Sequence, residues 1–474
     1  MNKTRPFALT LLALAPFGAS GGALAGDYLF AVTTDYETSG QCGRMNMETP
    51  WNVETGLEPV GSDPAVRSWR NRIYVINRLY ADAIQVIDPA SDYETVLEFS
   101  VGAGSNPQDI AFATASKAYV TRYESVWLYE VDPGTGAIVD SVDLSSFADA
   151  DGLPEMAQTA LWGGRLFVQV QRIDRNTWTP VSPAYLAVID VATNALVDAD
   201  PGLPGVQGIA LAGKNPNGPM RLDADAGRLY VGCTGNYLAE DGGVERVDLR
   251  ALATEGFVMT EAALGGDLGV IATDGAIGFA AVSDDWFFST RIVSFDVATG
   301  APLDTLYSTD GYVPDIEYDP VTSHLFVADR KITAPGVIVF DGTTGARLTP
   351  SPLSLGLPPA DLEIVRGVDA GIPGGAESEM MIAGRAAWAQ PNPFRSGTNL
   401  FFRAPASGGA EGMVYDLRGR LVRLLEGPEA AANGFAYLPW DGRDEGGRPV
   451  PPGTYFYRIE TSEGVRKSRV TVVR

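Results

Sequence analysis

Histidine is almost missing from this 474-residue chain, and the one copy, His324, removes whole classes of chemistry. A single imidazole cannot build a multi-histidine metal centre, and it leaves Ser-His-Asp hydrolysis without support elsewhere in the pattern. Cysteine is nearly as scarce. Cys42 and Cys233 are too few for a disulfide scaffold, there is no Cys-x-x-Cys-His haem attachment, and the two read as unpaired structural thiols, with a single bridge between them as the alternative. No glycine-rich phosphate loop occurs. Basic residues are few, 35 Lys and Arg against 59 Asp and Glu, for a net charge of -24. Phosphate backbones and anionic lipid both demand clustered cations, so neither nucleic acid nor a membrane surface is expected as a partner. Beyond the first 25 residues no apolar run is long enough for a transmembrane span.

Those first residues read as a secretory signal. Lys3 and Arg5 make a basic start, "FALTLLALAPFGAS" is the apolar region, and Ala23-Leu24-Ala25 offers a cleavage site before Gly26. The expected route is export, to a secreted or cell-surface location by way of the periplasm.

What the remaining chain has in abundance is repetition. A basic–aliphatic–aromatic–Val phrase recurs at Arg72–Val75, Lys117–Val120, Arg165–Val168, Arg228–Val231 and, with His324 first, at His324–Val327. Each, together with a looser copy at Asp285–Phe288, is followed by a second β-branched run ending in Asp: Asp88, Asp132, Asp190, Asp248, Asp296 and Asp341, with Asn52 in the same column as the seventh member. An Asp there is suited to an Asx turn, accepting backbone N–H bonds from the residues that follow. The turns lie 36 to 58 residues apart, the length of a four-stranded propeller blade. Seven copies predict an all-β fold, a seven-bladed β-propeller over 26–366. The first unit lacks its first strand, and Asp361–Val365 is a first strand with no unit after it, so the two are expected to pair and close the ring.

First strands line a propeller's channel, and five acids recur near their starts: Asp109, Glu155, Asp267, Asp315 and Asp361. Ala65 and Arg221 fill the other two columns, at intervals of 44, 46, 66, 46, 48 and 46 residues. Two readings stand. The acids form a solvated polar rim, or they converge on a hard cation such as Ca²⁺, with Arg221 as an internal counter-ion. Insertions at 171–185 and 211–219 are the loops in which a binding face is expected.

After a Gly/Ala-rich linker at 367–388 the charge changes sign. Residues 389–474 carry 12 bases and 9 acids, a net of +3, which leaves about -29 for 26–388 once Lys3 and Arg5 are set aside. Short, evenly spaced strands predict a small Ig-like β-sandwich in this C-terminal part.

The phrases "RIYVIN", "RLYVG" and "IQVIDPAS" resemble YVTN-type propeller repeats, a subgroup of the WD40-like superfamily. The C-terminal part is similar to two families. Pro391-Asn392-Pro393-Phe394, Asp416 and Gly419 within "YDLRGR", and Gly453 and Tyr455 within "PGTYFYR" resemble the type A sorting domain of type IX secretion (the Por domain). "WDGRD" with "EGGRPVPPG" resembles equally the Ig-like module of flagellar hook-capping proteins. The first resemblance implies an address read by outer-membrane secretion machinery, and the second a structural β module. The leading expectation is a non-enzymatic binding or scaffold protein whose propeller takes an unknown protein or small ligand. The alternatives are a metal-dependent, lactonase-like propeller hydrolase and a purely structural surface protein.

Overall fold

A computed structural model of the chain describes residues 26–366 and most of 387–472; residues 1–25, 367–386, 391–393, 395–396, 404–408, 417–419, 426, 431–434, 463 and 473–474 lie outside it. The expected signal peptide, nearly all of the expected linker, Pro391, Asn392, Pro393 and Gly419 therefore fall outside the described residues.

Residues 26–366 form a β-propeller. Seven successive antiparallel sheets are present among the described residues, six of four strands and one of three. Their inner strands are Pro359–Val365, Pro64–Trp69, Pro107–Thr114, Met156–Trp162, Arg221–Asp223, Asp267–Thr273 and Ile316–Asp319. The second strands, such as Arg72–Asn77 and Arg165–Val170, are apolar without alternation because both of their faces are covered. Each face packs on a neighbouring sheet. Val66, Ile73 and Val75 meet Phe30 and Val32 of the sheet before, while Tyr74 and Ile76 meet Ile110 and Val120 of the sheet after. Similar shared clusters join every adjacent pair, the last uniting Phe326 and Val337 with Leu29 and Leu362.

The ring closes through the chain ends. Pro359–Val365 pairs antiparallel with Tyr28–Thr34, with Val365 opposite Tyr28 and Asp361 opposite Val32. Arg366 ties the join, giving one N–H to Asp27 and one to Asp319, each at 2.6 Å.

At one end of the ring the turns follow the Asx pattern. Asp88, Asp132, Asp190, Asp248, Asp296 and Asp341 each accept a backbone N–H from two or three residues on, at 2.7–3.0 Å. The seventh column needs correction. Asn46, not Asn52, ends the third strand of its sheet, and its Nδ2 donates to the Pro50 carbonyl. Five intervening residues displace Asn52 to just before the next strand, which begins at Val53. Cys42 and Cys233 are free and buried in different core clusters, where burial pushes both thiols far above their ordinary range.

In the C-terminal part, two four-stranded antiparallel sheets share one core that includes Leu400, Val414, Leu438, Trp440, Tyr457 and Val470. Phe394 and Tyr455 are buried edge-on against Trp440, at 5.4 and 5.5 Å between ring centres. Asp416 accepts from the Arg420 backbone at 3.0 Å and closes a turn. Asp416, Gly453 and Tyr455 also line one cavity with Arg420, Arg448 and Pro451.

Candidate functional site

The five acids do not converge on one point. Asp109, Asp315 and Asp361 act as latches between consecutive sheets, each accepting an amide from the next inner strand. Asp315 takes Leu362 N–H at 3.0 Å, Asp361 takes Val66 N–H at 2.8 Å, and Asp109 takes Thr159 N–H at 2.8 Å. Pro107, Pro314 and Pro359 stand just before or at the start of these strands, where a residue without an N–H leaves no donor unpaired. Glu363 repeats the device one pleat further along, accepting from both the backbone and the hydroxyl of Ser68.

Two arginines compensate this charge. Arg67 lies 2.8 Å from Asp109 and 3.4 Å from Asp361, and it also bonds Gln158. Arg221 reaches Glu317 at 2.6 Å and Asp315 at 3.6 Å while donating to the carbonyls of Ile271 and Ile316. Arg221 is thus a counter-ion, as its column suggested. Burial alone would favour a neutral Arg67, but Asp109 and Asp361 more than offset it and hold the guanidinium charged. Burial raises Asp315 well above the carboxylate range and Glu363 to about 7, the latter despite Arg67. Among the described residues no three His, Cys, Asp or Glu side chains are placed to hold one metal ion.

Glu155 and Asp267 lie apart from this cluster, beneath hairpins at one mouth of the channel. Glu155 accepts Ile173 N–H at 3.1 Å and pairs with Arg175 at 3.0 Å; Asp267 accepts Leu238 N–H at 2.5 Å. Burial raises both, Glu155 to about 7.

The hairpins they brace carry the most distinctive feature of the molecule. At this mouth the second strand of each sheet turns into the third, and in six of the seven sheets the turn presents an aromatic side chain: Tyr36, Tyr80, Tyr123, Trp178, Tyr237 and Trp286. All but Tyr80 line a cavity of about 760 Å³, where Tyr312 joins them. Tyr237 stacks on Trp286 at 5.4 Å, Arg330 lies over Tyr36 at 4.0 Å, and Arg175 lies between Tyr123 and Trp178 at 5.2 and 5.6 Å.

Four of these rings sit on left-handed backbone: Tyr36 (φ 61°), Tyr80 (φ 69°), Trp178 (φ 55°) and Trp286 (φ 62°). Bulky residues avoid that conformation, which costs about 1–3 kcal/mol and persists only where the surroundings enforce it. For Tyr36 and Trp286 the enforcement comes from acids in the same hairpins, and an acid braces the Tyr237 hairpin in the same way. Asp35 accepts the backbone N–H of Glu37, Thr38 and Ser39, and these bonds hold its carboxyl far below the usual range. Asp285 likewise accepts from Ser289, and Asp241 holds Asn236 through two bonds. Part of the strong acidic excess is therefore structural, fixing the loops that carry the rings.

Inside the rim the wall is polar. Both insertions noted in the sequence contribute, Trp178 and Thr179 from one and Asn215 and Asn217 from the other. His324 is remote: it pairs opposite Asp341 at the end bearing the Asx turns, with Nδ1 2.9 Å from the Met47 carbonyl.

No family model and no curated protein matches the chain. Solved structures do. A candidate 6-phosphogluconolactonase from Bacteroides fragilis NCTC 9343 superposes with a TM-score of 0.53 at 15% identity, covering 74% of this chain and all of that one. A protein from Lactobacillus plantarum gives 0.52 at 13% identity, covering 72% of this chain and all of its own. At such identities the likeness is one of fold.

Proposed function

We propose that the chain is an exported binding protein. Its propeller takes a ligand at the aromatic mouth, and its C-terminal module, read as Ig-like, carries the address for outer-membrane secretion machinery. The observation that carries the binding role is the aromatic rim, repeated from sheet to sheet around one cavity, with three of the lining rings, Tyr36, Trp178 and Trp286, on strained backbone. Strain at such positions is a mark of functional surfaces, and a purely structural surface protein has no need of it. The address rests on the order of "PNPF", "YDLRGR" and "PGTYFYR" in a chain that begins with an export signal. The resulting location is the cell surface or the medium.

The rival is a lactone hydrolase, suggested by the fold it shares with the Bacteroides protein. The mouth offers poor support for it. Of the acids lining the cavity, Asp63 is paired with Arg78 at 2.5 Å and Asp361 is engaged by Val66 N–H, so neither is a poised base. The Ca²⁺ reading is weakened in the same way, since Arg67 and Arg221 already stand where a compensating cation would.

Purified full chain given 6-phosphogluconolactone is expected to leave its hydrolysis at the spontaneous rate. Hydrolysis above that rate, lost on Asp361→Asn, would establish the enzyme instead. The address is tested by cell fractionation: a chain lacking 389–474 is expected to stop in the periplasm, and undiminished delivery to the surface or medium would remove the sorting role.

A further inference from the structure

The chemistry of the mouth goes beyond a generic binding site, and the inference rests on the reading of that mouth as the ligand site. We infer that its ligand is a short, uncharged oligosaccharide. Three properties of the cavity carry this.

The first is the pairing of rings with amides. A pyranose has an apolar face of C–H groups and an edge of hydroxyls, each both donor and acceptor. Aromatic rings suit the face. Asn and Gln suit the edge, because each carries both a donor and an acceptor. The cavity sets Asn106, Gln108, Gln158, Gln171, Asn215 and Asn217 inside the ring of aromatics. Several are already oriented: Gln171 donates to the Pro216 carbonyl and accepts from the Tyr123 hydroxyl, both at 2.8 Å, and Gln108 is held by Asn106 at 2.9 Å. Prefixed amides avoid the ordering cost that flexible polar groups incur on binding.

The second is neutrality. Arg78 is paired with Asp63, Arg67 with Asp109 and Asp361, and Arg175 with Glu124 and Glu155. Among the described residues every charged side chain lining the cavity has a partner of opposite sign, Arg330 at the rim is occupied by the carbonyls of Thr34, Pro358 and Pro359, and a net of about -29 over residues 26–388 repels polyanions such as uronates.

The third is size and shape. About 760 Å³ is far more than a small quaternary cation fills, and the rings come from separate hairpins around the opening rather than closing into one cage. Apart from Leu79, Ile173 and Val270 the non-aromatic apolar lining is alanine and proline, which provides no deep apolar pocket for peptide side chains.

Trp178 and Trp286, 67% and 59% exposed, serve as both platform and reporter. Tryptophan fluorescence of the full chain is titrated with cellohexaose, chitohexaose, mannohexaose, a guluronate hexamer and decaproline. At least one neutral hexasaccharide is expected to give a saturable change. Trp178→Gly and Trp286→Gly remove the ring while suiting the left-handed backbone, so the fold is kept. Each is expected to weaken the dissociation constant, read by calorimetry, about tenfold or more, while Trp178→Phe retains most of the affinity.

Binding by none of the sugars overturns the proposal. Binding by decaproline alone, lost in the glycine variants, overturns the sugar and leaves the mouth as the site. Binding by the guluronate alone overturns neutrality. A sugar that binds equally well to both glycine variants overturns the mouth itself.

Discussion

Replacing Arg67 by methionine is expected to cost the propeller about 3–5 kcal/mol, a fall in melting temperature of roughly 5–10 °C. Arg67 is the cation shared by Asp109 and Asp361, whose side chains are 3% and 12% exposed. Without it two latch carboxyls stay buried, still holding the Thr159 and Val66 amides, with no positive partner at hand. The loss should depend on pH, and its sign follows from the direction of the shifts. A carboxyl whose folded pKa is raised contributes stability that is fully present below its unfolded value and lost as pH rises through its folded value. Glu363 is already raised to about 7 by burial, and removing Arg67 takes away the group that opposes the rise. The unfolded value is common to both chains and cancels, so the penalty is largest above the variant's own folded value, which lies above about 7, and shrinks as pH falls to about 7, below which Glu363 is protonated in both folded chains. Thermal unfolding of both chains from pH 5 to pH 8 reads this directly. A change below about 1 °C, or one that does not vary with pH, would mean that the channel charges are compensated by solvent.

A larger effect is expected from the closing strand. A chain ending at residue 366 should fold as a propeller, and one ending at residue 357 should not. The difference is Pro359–Val365 with Pro358 and Arg366. That strand buries Ala360, Leu362 and Val365, covers the edge of the fully buried strand Tyr28–Thr34, and supplies Asp361 to the second sheet and Leu362 N–H to the seventh. Its removal opens an apolar, unpaired edge of the kind that drives aggregation. Arg366, retained in the longer chain, keeps its bonds to Asp27 and Asp319. Soluble yield, gel filtration and circular dichroism separate the outcomes. A well-folded chain ending at 357 would show that closure is dispensable.

The strands and the ring closure were legible because they repeat. Six aspartates in one column predicted the turns they make, and the missing first strand predicted the pairing of Tyr28–Thr34 with Pro359–Val365. Asn52 was misplaced because five extra residues separate it from the strand end at Asn46, which spacing alone does not show. The channel acids and one counter-ion, Arg221, were found, but the second counter-ion, Arg67, and the further acids Glu317 and Glu363 were not. Arg67, Glu317 and Glu363 lie two residues beyond Ala65, Asp315 and Asp361, on the same face of their strands by the two-residue period of a β-strand. Reading two residues along each column would have revealed the counter-charge.

The aromatic mouth was missed for a different reason. Tyr36, Tyr80, Tyr123, Trp178, Tyr237 and Trp286 stand in hairpins of unequal length, so no fixed spacing relates them. A signal exists all the same, an aromatic residue between the second and third strands of successive units. It becomes visible only when units are aligned on those strands rather than on the turns at the other end.

The most direct test is fluorine-19 NMR of the full chain labelled with 5-fluorotryptophan, titrated with the neutral hexasaccharides. Of the eight tryptophans, the resonances of Trp178 and Trp286 should move together and saturate, while that of Trp440, buried in the C-terminal core, stays in place. Stationary rim resonances, or movement confined to Trp440 or to Trp51 beside His324, would contradict a ligand site at the aromatic mouth.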